Sequence, residues 1–204
     1  MTLQEFDNEI RQEYDVVCGC DEAGRGPLAG DVFAAAVVFD KDTVIDGIND
    51  SKKLTEKKRE KLFDEIVEKA LDFSIQIATV EEIEDIYILN CAMLAMKRAV
   101  EDMDIKPDIC VIDGNKKPDL DCPAIAVIKG DAKSQSVAAA SILAKVARDR
   151  YMLEMAEKYP QYQFERHKGY GTKLHYEMID KYGPCEIHRP SFLKKYYERK
   201  NNES

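Results

Sequence analysis

Short apolar runs alternate with amphipathic stretches along this chain, and that alternation predicts an α/β fold. The first run spans Val16 to Cys20, and the second, Val32 to Phe39, is nearly continuous. A continuous apolar run is typical of a strand that is covered on both faces. Because the segment between the two runs is too short for a crossover helix, we expect these strands to pair antiparallel.

Three more stretches predict strands. Residues 73–77 alternate between apolar and polar side chains, which is typical of a strand with one exposed face. Residues 109–112 and 124–128 are continuous apolar runs, so we expect two further strands there. The pattern therefore predicts five strands in all.

Helical periodicity accounts for most of the remaining chain. Thr55, Thr79, and Ser134 or Ser136 carry side chains suited to an N-cap, and each precedes an amphipathic stretch. After Thr79, apolar side chains recur at steps of three and four. We expect them to form the buried face of a long helix, and they are Ile86, Leu89, Met93, Met96 and Val100.

A change in composition near residue 159 predicts two parts. Residues 1–158 carry all five predicted strands behind a short leading helix over residues 3–14, and we expect them to form one domain. Residues 159–204 are richer in Tyr, His, Lys and Arg, and a helix is predicted over residues 172–182. With 204 residues, 45% of them hydrophobic, the chain is long enough for one sizeable core and a small appendage.

Composition excludes several classes of protein. No apolar run is long enough to span a membrane and the N-terminus lacks a signal-peptide core, so we expect a cytoplasmic protein without a membrane partner. The six cysteines form no CxxC pair and are predicted to be small buried hydrophobes. The three histidines are too scattered to predict a metal site. A net charge of −9 argues mildly against a polyanionic partner, although local Lys and Arg clusters weaken that argument.

Two adjacent acids and a glycine-rich turn follow the first strand directly. Asp21 and Glu22 end the apolar run, and Gly24-Arg25-Gly26 comes next. Carboxylates at the rim of a buried sheet are costly unless a cation neutralises them. Glycines let backbone N–H groups approach a bulky anion, and an arginine can fork onto a phosphate. This loop therefore predicts a site that holds a metal ion and a phosphate together.

Acids also follow the fourth and fifth predicted strands, at Asp113 and Asp131. Taken singly, these residues also suit a turn former and a helix N-cap. Acids at like ends of neighbouring strands can nevertheless converge, and four clustered carboxylates repel one another severely without cations. Oxygen ligands select hard ions, so the pattern predicts Mg²⁺ or Mn²⁺. Two such ions can clamp the attacking and leaving oxygens of a phosphodiester displacement.

Six sequence blocks, all in family order, make the chain resemble the bacterial ribonuclease HII family. They are Cys20-Asp-Glu-Ala-Gly-Arg-Gly-Pro-Leu-Ala-Gly30, Asp50-Ser-Lys-Lys-Leu54, Ile112-Asp-Gly114, Lys129-Gly-Asp131, Ala138-Ala-Ala-Ser-Ile-Leu-Ala-Lys145 and His167-Lys-Gly-Tyr-Gly171. The resemblance runs from about Val16 to Phe192. It implies an RNase H-like fold, in which a mixed five-stranded sheet is flanked by helices. It also implies that a small helical C-terminal extension completes the substrate cleft.

The resemblance also implies an activity. It implies an endoribonuclease that cuts RNA paired with DNA, including a single ribonucleotide within duplex DNA. The cut falls on the 5′ side of the ribonucleotide and leaves 3′-hydroxyl and 5′-phosphate ends. Asp21, Glu22, Asp113 and Asp131 are implied as the catalytic acids that bind two ions, Mg²⁺ or Mn²⁺.

Residues that read the substrate follow from the same resemblance. Gly24, Arg25 and Gly26, together with Tyr170, are implied to read the 2′-hydroxyl at the RNA–DNA junction, and Lys52 matches a position near the phosphates. Only that hydroxyl separates the two sugars, so close backbone donors are needed to sense it. Type HIII relatives share the acids but lack the Gly-Arg-Gly turn, so its presence here favours type HII.

Three other interpretations are weaker. A strand-transfer or junction-cutting nuclease is disfavoured by the Gly-Arg-Gly turn and the Tyr170 block. A non-catalytic RNA–DNA binding module is disfavoured because all four acids are present, and a phosphotransfer receiver by the short first connection. We expect a monomer. Contact with a sliding clamp is unsupported, since we expect Phe192-Leu193 and Tyr196-Tyr197 to pack within the extension.

Overall fold

Five strands form one mixed sheet in the order β3-β2-β1-β4-β5. A computed structural model of the chain describes residues 1–202. The strands are β1 (Val17–Ala23), β2 (Val32–Val38), β3 (Asp72–Ala78), β4 (Ile109–Asp113) and β5 (Ala124–Val127). The five predicted strands are confirmed, although β1 extends beyond its apolar run and includes both acids.

The first three strands form an antiparallel meander, and the last two run parallel to β1. β1 pairs antiparallel with β2, as the short connection predicts, and β2 pairs antiparallel with β3. β4 pairs parallel with β1, and β5 pairs parallel with β4. The carboxyl ends of β1, β4 and β5 therefore lie at one edge of the sheet.

Helices cover both faces of the sheet and form the C-terminal part. They are α1 (Leu3–Ile10), α2 (Glu56–Lys69), α3 (Val80–Glu101), α4 (Gln135–Lys158), α5 (Phe164–His167), α6 (Lys173–Tyr182) and α7 (Pro190–Asn202). The predicted N-caps of α2, α3 and α4 are confirmed, because the side chains of Thr55, Thr79 and Ser134 each accept a hydrogen bond from the first turn of the helix. Of the described helices, none has the length and apolar character needed to cross a bilayer.

Two apolar cores sandwich the sheet. α3 packs on one face, where Cys20, Met96 and Ile112 are buried. α2 and α4 pack on the other, where Ile66 and the small side chains of α4 are buried. Gly19 in β1 allows α4 to approach closely, since a Cβ there would lie 2.1 Å from the carbonyl carbon of Ser136. This close approach fixes α4 against the strand that carries the first acid.

The predicted faces of β3 and α3 are only partly right. In β3, Ser74 and Ala78 are buried, while Ile77 is exposed. Helix α3 is interrupted at Tyr87, whose φ of 67° lies outside the helical region. Beyond this kink the buried stripe includes Cys91, Ala92, Ala95, Met96 and Ala99, whereas Leu89 and Met93 stay half-buried. The kink changes the phase of the helix, which a single periodic stripe does not anticipate.

The C-terminal part is joined to the loop after β1 by backbone hydrogen bonds. The amide of Leu28 donates to the carbonyl of Gly169, the amide of Arg189 donates to the carbonyl of Leu28, and the amide of Gly30 donates to the carbonyl of Ile187. Each of these three bonds is 2.8 Å long. The loop that holds the Gly-Arg-Gly turn therefore depends on residues from both parts of the chain.

Side chains of α7 pack inward at three of the four expected positions, whereas Tyr197 is exposed. Leu193 is buried, Phe192 is half-buried and the ring of Tyr196 lies 4.4 Å from that of Tyr176. The cysteines are unpaired in the described chain, and four of the six are fully buried, in agreement with their prediction as small hydrophobes.

Candidate active site

The register of β1 against β4 brings two predicted acids side by side. Cys20 pairs with Ile112 in this parallel ladder, and the next residues along the two strands are Asp21 and Asp113. Neighbouring strands lie about 4.8 Å apart, and residues in register share a face. Both carboxylates therefore point to the face of the sheet that α4 covers.

Asp21 is the most deeply placed of the acids, with 4% of its surface exposed. Its Oδ1 accepts a 2.7 Å hydrogen bond from the amide of Glu22, and the hydroxyl of Ser141 in α4 also donates to it. Burial, and then repulsion from Glu22 and Asp113, raise the pKa of Asp21 well above its usual value. The site therefore holds a carboxylate whose charge calls for a counterion.

Glu22 lies at the mouth of the same site and is paired with the arginine of the turn. Arg25 Nη1 donates to Glu22 Oε1 at 2.8 Å, and the arginine side chain is about half exposed. Glu22 and Arg25 are three positions apart in the sequence, so this ion pair is local. Arg25 thus partly offsets the negative charge that Asp21 and Glu22 place together.

Asp113 and Asp131 are linked through the loop that follows β5. The amide of Gly130 donates to Asp113 Oδ1 at 2.7 Å, which places the 3₁₀ turn at Gly130–Ala132 beside the end of β4. Asp131 is buried in that turn. Burial, and then the charges of Asp113 and Asp50, raise the pKa of Asp131.

Lys52 extends over this group of acids from a second 3₁₀ turn, at Ser51–Lys53. Partial burial lowers its pKa, but attraction to Asp21 and Asp131, with smaller contributions from Asp50 and Asp113, outweighs burial and raises it. The side chain therefore remains a cation that faces at least three of the four predicted acids.

Eight of the nine predicted site residues line one cavity of about 370 Å³, and the ninth lines the cavity next to it. The eight are Asp21, Glu22, Gly24, Arg25, Gly26, Lys52, Asp113 and Tyr170. Asp131 lines an adjoining cavity of about 270 Å³, which shares Asp113 and Lys52 with the first. The structure therefore brings together residues from positions 21 to 170 of the chain.

The glycine-rich turn lies against a buried arginine. Gly24 has a φ of +102°, which disfavours any residue with a side chain, and a Cβ there would lie 2.4 Å from Arg148 Nε. Gly24 is therefore required both for the backbone conformation of the turn and for its contact with α4.

Tyr170 stands opposite this turn, with 41% of its surface exposed. Two cations lie over its ring, with Lys145 Nζ 5.6 Å and Arg148 Cζ 5.8 Å from the centroid. The tyrosine carbonyl accepts hydrogen bonds from the amide of Thr172 and from His175 Nδ1. An exposed aromatic face is thus held at the rim of the cavity by a fixed backbone.

The three histidines, although scattered along the sequence, lie together in the structure. His188 Nε2 and His175 Nε2 are 3.0 Å apart, and the rings of His167 and His175 stack at 4.3 Å. The amide of Cys185 donates to His188 Nδ1. The one tautomer set that satisfies these bonds continues from His188 Nε2–H to His175 and from His175 Nδ1–H to Tyr170.

This histidine cluster is a neutral support and not a metal site. Its ring nitrogens are occupied by hydrogen bonds, including those of His167 with Tyr162 and Gly169. Burial lowers the pKa of His167, lowers that of His175 to about 3 and lowers that of His188 to about 4. The three imidazoles are therefore uncharged at neutral pH, and they fix the backbone beneath Tyr170.

The acids suit hard divalent cations by their chemistry, without forming a ready cage. Their donor atoms are carboxylate oxygens, which Mg²⁺ and Mn²⁺ prefer. Within the described residues, no three His, Cys, Asp or Glu side chains stand close enough together to hold one ion as they are. Glu22 is turned to Arg25 and Asp113 to the Gly130 amide, as expected for carboxylates that repel one another.

Several residues near the acids were not singled out from the sequence. Ser141 donates to Asp21, Ser51 bonds to Ser141 at 2.8 Å, and Asp50 lies beside Asp131. Lys145 lies one helical turn beyond Ser141 and is held by a 2.6 Å bond to Asp149. The spacing of Ser141 and Lys145 on one helix face is the signal that points to them.

Comparison with known proteins gives consistent matches over most of the chain. The sequence profile of the family described as Ribonuclease HII matches residues 18–195. A ribonuclease HII from Caldicellulosiruptor bescii is 58% identical over 185 residues, covering 91% of this chain and 90% of its own length. The crystal structure of ribonuclease H2 from Pyrococcus horikoshii OT3 has a TM-score of 0.76 at 29% identity, covering 90% of this chain and 98% of that one.

Replacing Asp21 by asparagine should stabilise the protein in the absence of metal ions. Because the pKa of Asp21 is raised in the folded state, its ionised carboxylate costs folding free energy at neutral pH. In urea unfolding with chelator at pH 7, we expect Asp21→Asn to gain free energy of unfolding relative to the wild type. The gain should shrink as the pH falls through the raised pKa, since the wild-type carboxyl then becomes neutral as well.

Asp42→Asn is the matched control, because Asp42 is exposed, and it should change stability by less than about 0.5 kcal/mol. An Asp21→Asn protein that unfolds more easily than the wild type at pH 7, or a gain that does not vary with pH, contradicts the account of Asp21 as a buried charge.

Proposed function

The chain belongs to the ribonuclease HII family and is a metal-dependent hydrolase of RNA paired with DNA, and we propose that it also cuts at a single ribonucleotide within duplex DNA. The cut falls on the 5′ side of the ribonucleotide and leaves 3′-hydroxyl and 5′-phosphate ends. The observation that carries this proposal is the shared cavity, where the Gly-Arg-Gly turn and Tyr170 face the acids.

The acids have the role of metal ligands in this proposal. Asp21, Glu22, Asp113 and Asp131 would hold two divalent cations, Mg²⁺ or Mn²⁺. When bound, such ions activate the attacking water and stabilise the leaving oxygen. The burial of Asp21 and the raised pKa values of Asp21 and Asp131 support the assignment, because these carboxylates are costly to keep charged without a counterion.

The cationic side chains position the substrate backbone. Arg25 is about half exposed and can exchange Glu22 for a phosphate oxygen, and Lys52 lies beside the acids on the other side of the cavity. Both contacts are electrostatic, so they weaken as salt increases. They also supply local positive charge in a protein whose net charge is −9.

The turn and the tyrosine distinguish RNA from DNA. Backbone N–H groups of the Gly-Arg-Gly turn can donate to the 2′-hydroxyl, which only the ribonucleotide carries. The exposed face of Tyr170 can stack on the neighbouring deoxyribose, where an extra hydroxyl would clash. Because the turn contacts a ribonucleotide and Tyr170 contacts a deoxyribose, the site favours a junction between RNA and DNA over a uniform RNA tract.

The C-terminal extension, residues 159–204, completes the cleft by supplying Tyr170. The nine residues of the proposed site meet within one chain, so the site needs no residue from a second copy, and we propose a monomer as the working unit.

The activity is tested with a DNA duplex that carries one ribonucleotide. We expect cleavage on its 5′ side with Mg²⁺ or Mn²⁺, and none with chelator. Asp21→Asn should reduce kcat by at least about a hundredfold, because an amide cannot replace an anionic ligand. Duplex binding, measured by fluorescence anisotropy, should survive. Full turnover by Asp21→Asn, with Asp42→Asn as the control, would refute the role of the acids.

Junction reading is tested by comparing two substrates. Tyr170→Ala should reduce kcat/KM on the single-ribonucleotide duplex at least about tenfold more than on a long RNA–DNA hybrid, because loss of one good contact costs about 1.4 kcal/mol, which is about tenfold. Tyr182→Ala, at another exposed tyrosine of the same extension, is the control and should affect neither substrate. Equal losses on both substrates argue against junction reading.

A further inference from the structure

Two arginines are completely buried beside the glycine turn, which we define as residues 24–30. Arg148 in α4 and Arg189 at the start of the α7 region both have 0% of their surface exposed. Among the described residues, neither forms an ion pair with a carboxylate. A buried charge without a carboxylate partner is costly, so the contacts that compensate it indicate what the residue does.

The guanidinium of Arg189 donates hydrogen bonds to backbone carbonyls of the glycine turn. Its Nη2 donates to Gly24 at 2.7 Å, its Nη1 to Pro27 at 2.8 Å and to Arg25 at 3.2 Å. Its Nε and Nη2 both donate to Gly30, at 2.9 Å and 2.5 Å. The guanidinium lies 5.1 Å from the ring centre of Phe192. One side chain therefore binds four carbonyls of a seven-residue loop.

Arg148 binds one carbonyl within the turn, one directly after it and one shortly before the tyrosine. Its Nη2 donates to Ala29 at 3.0 Å and its Nε to Asp31 at 3.3 Å, while its Nη1 donates to Lys168 at 3.1 Å. Lys168 lies two residues before Tyr170, whose ring centre is 5.8 Å from the same guanidinium. Arg148 therefore connects the turn to the segment that carries Tyr170.

The contacts of Arg189 also fix where the amides of the turn point. In a trans peptide the carbonyl of one residue and the N–H of the next point in opposite directions. Because Arg189 binds the carbonyls of Gly24 and Arg25, the N–H groups of Arg25 and Gly26 must point away from it. Gly24 and Gly26 line the same cavity as the acids Asp21, Glu22 and Asp113. The buried cation thus aims the donors that the substrate would meet.

Burial lowers the pKa of Arg189 to about 9, so its guanidinium still carries a proton at neutral pH and all its donors remain available. Among the described residues, no carboxylate forms an ion pair with this guanidinium, and Asp31 acts on it only through space. Hydrogen bonds to backbone carbonyls offset the cost of burying the guanidinium. The buried charge therefore stabilises this conformation of the loop.

We propose that Arg189 and Arg148 are positioning residues that hold the glycine turn and Tyr170 in the arrangement that recognises a ribonucleotide. This inference rests on the proposed function of that turn. Arg189 lies more than 160 residues from Gly24 in sequence, so the C-terminal extension sets the geometry of the turn as well as supplying Tyr170.

The test compares Arg189→Lys with Arg199→Lys, the same change at an exposed position of α7, the helix that begins directly after Arg189. Lysine keeps the charge but cannot reach four carbonyls at once. In ¹H–¹⁵N NMR spectra of the folded protein, we expect Arg189→Lys to shift the amide signals of Arg25 and Gly26. We also expect a loss of kcat/KM on the single-ribonucleotide duplex about tenfold greater than on the RNA–DNA hybrid, since small misplacements of a site can cost up to about 10²-fold. Arg199→Lys should change neither.

The outcomes separate the two proposals. Unmoved amides in a folded Arg189→Lys protein overturn the positioning role, whatever the activity. Moved amides with equal losses on both substrates support the positioning of the turn and overturn its role in reading the junction. If Arg189→Lys does not fold, Arg148→Lys tests the same geometry, with the amide signals of Gly24 and Tyr170 as the readout.

Discussion

Burial of the Asp21 carboxylate at the end of the central strand is the constraint on which the rest of this structure depends. β1 lies in the middle of the sheet and is covered on both faces, so its last residues sit where a charge is poorly solvated. The register of β1 against β4 then adds Asp113 beside it, and repulsion raises the cost further. This cost calls for cations at the corner of the sheet where Asp21 and Asp113 lie.

Three kinds of positive charge meet that need. Lys52 and Arg25 lie among the acids in the structure itself, and they can turn toward phosphate when a nucleic acid binds. Divalent ions are the third, in keeping with the metal-dependent hydrolases to which the chain belongs. The same negative charge that destabilises the isolated protein therefore favours the binding of divalent cations at this corner.

In the proposed function, the C-terminal extension makes this corner selective for its substrate. It contributes Tyr170, supports that residue with neutral histidines, and sends the guanidinium of Arg189 into the loop after β1. The acids and the recognition turn thus belong to different layers of the structure. The sheet provides three of the four acids, and arginines from both parts of the chain bind the turn.

Much of this could be predicted from the sequence, because local rules decide it. Apolar runs that end in acids identified β1, β4 and β5, and single threonines and serines marked the helix starts. The register that sets Asp21 beside Asp113 could not be predicted, since it depends on packing across the whole sheet. Nor could the contacts of Arg189, which join residues far apart in the chain, or the meeting of three histidines. The kink at Tyr87 could not be predicted either, because α3 contains no Gly or Pro.

The central claim is that carboxylates from separate strands share divalent ions at this corner. An anomalous difference map from a crystal of the wild-type protein grown with Mn²⁺ and a ribonucleotide-containing duplex tests it most directly. The account predicts a Mn²⁺ peak between the carboxylates of Asp21 and Asp113, with the ribonucleotide at the glycine turn. A well-ordered complex whose Mn²⁺ peaks all lie away from both carboxylates would contradict it.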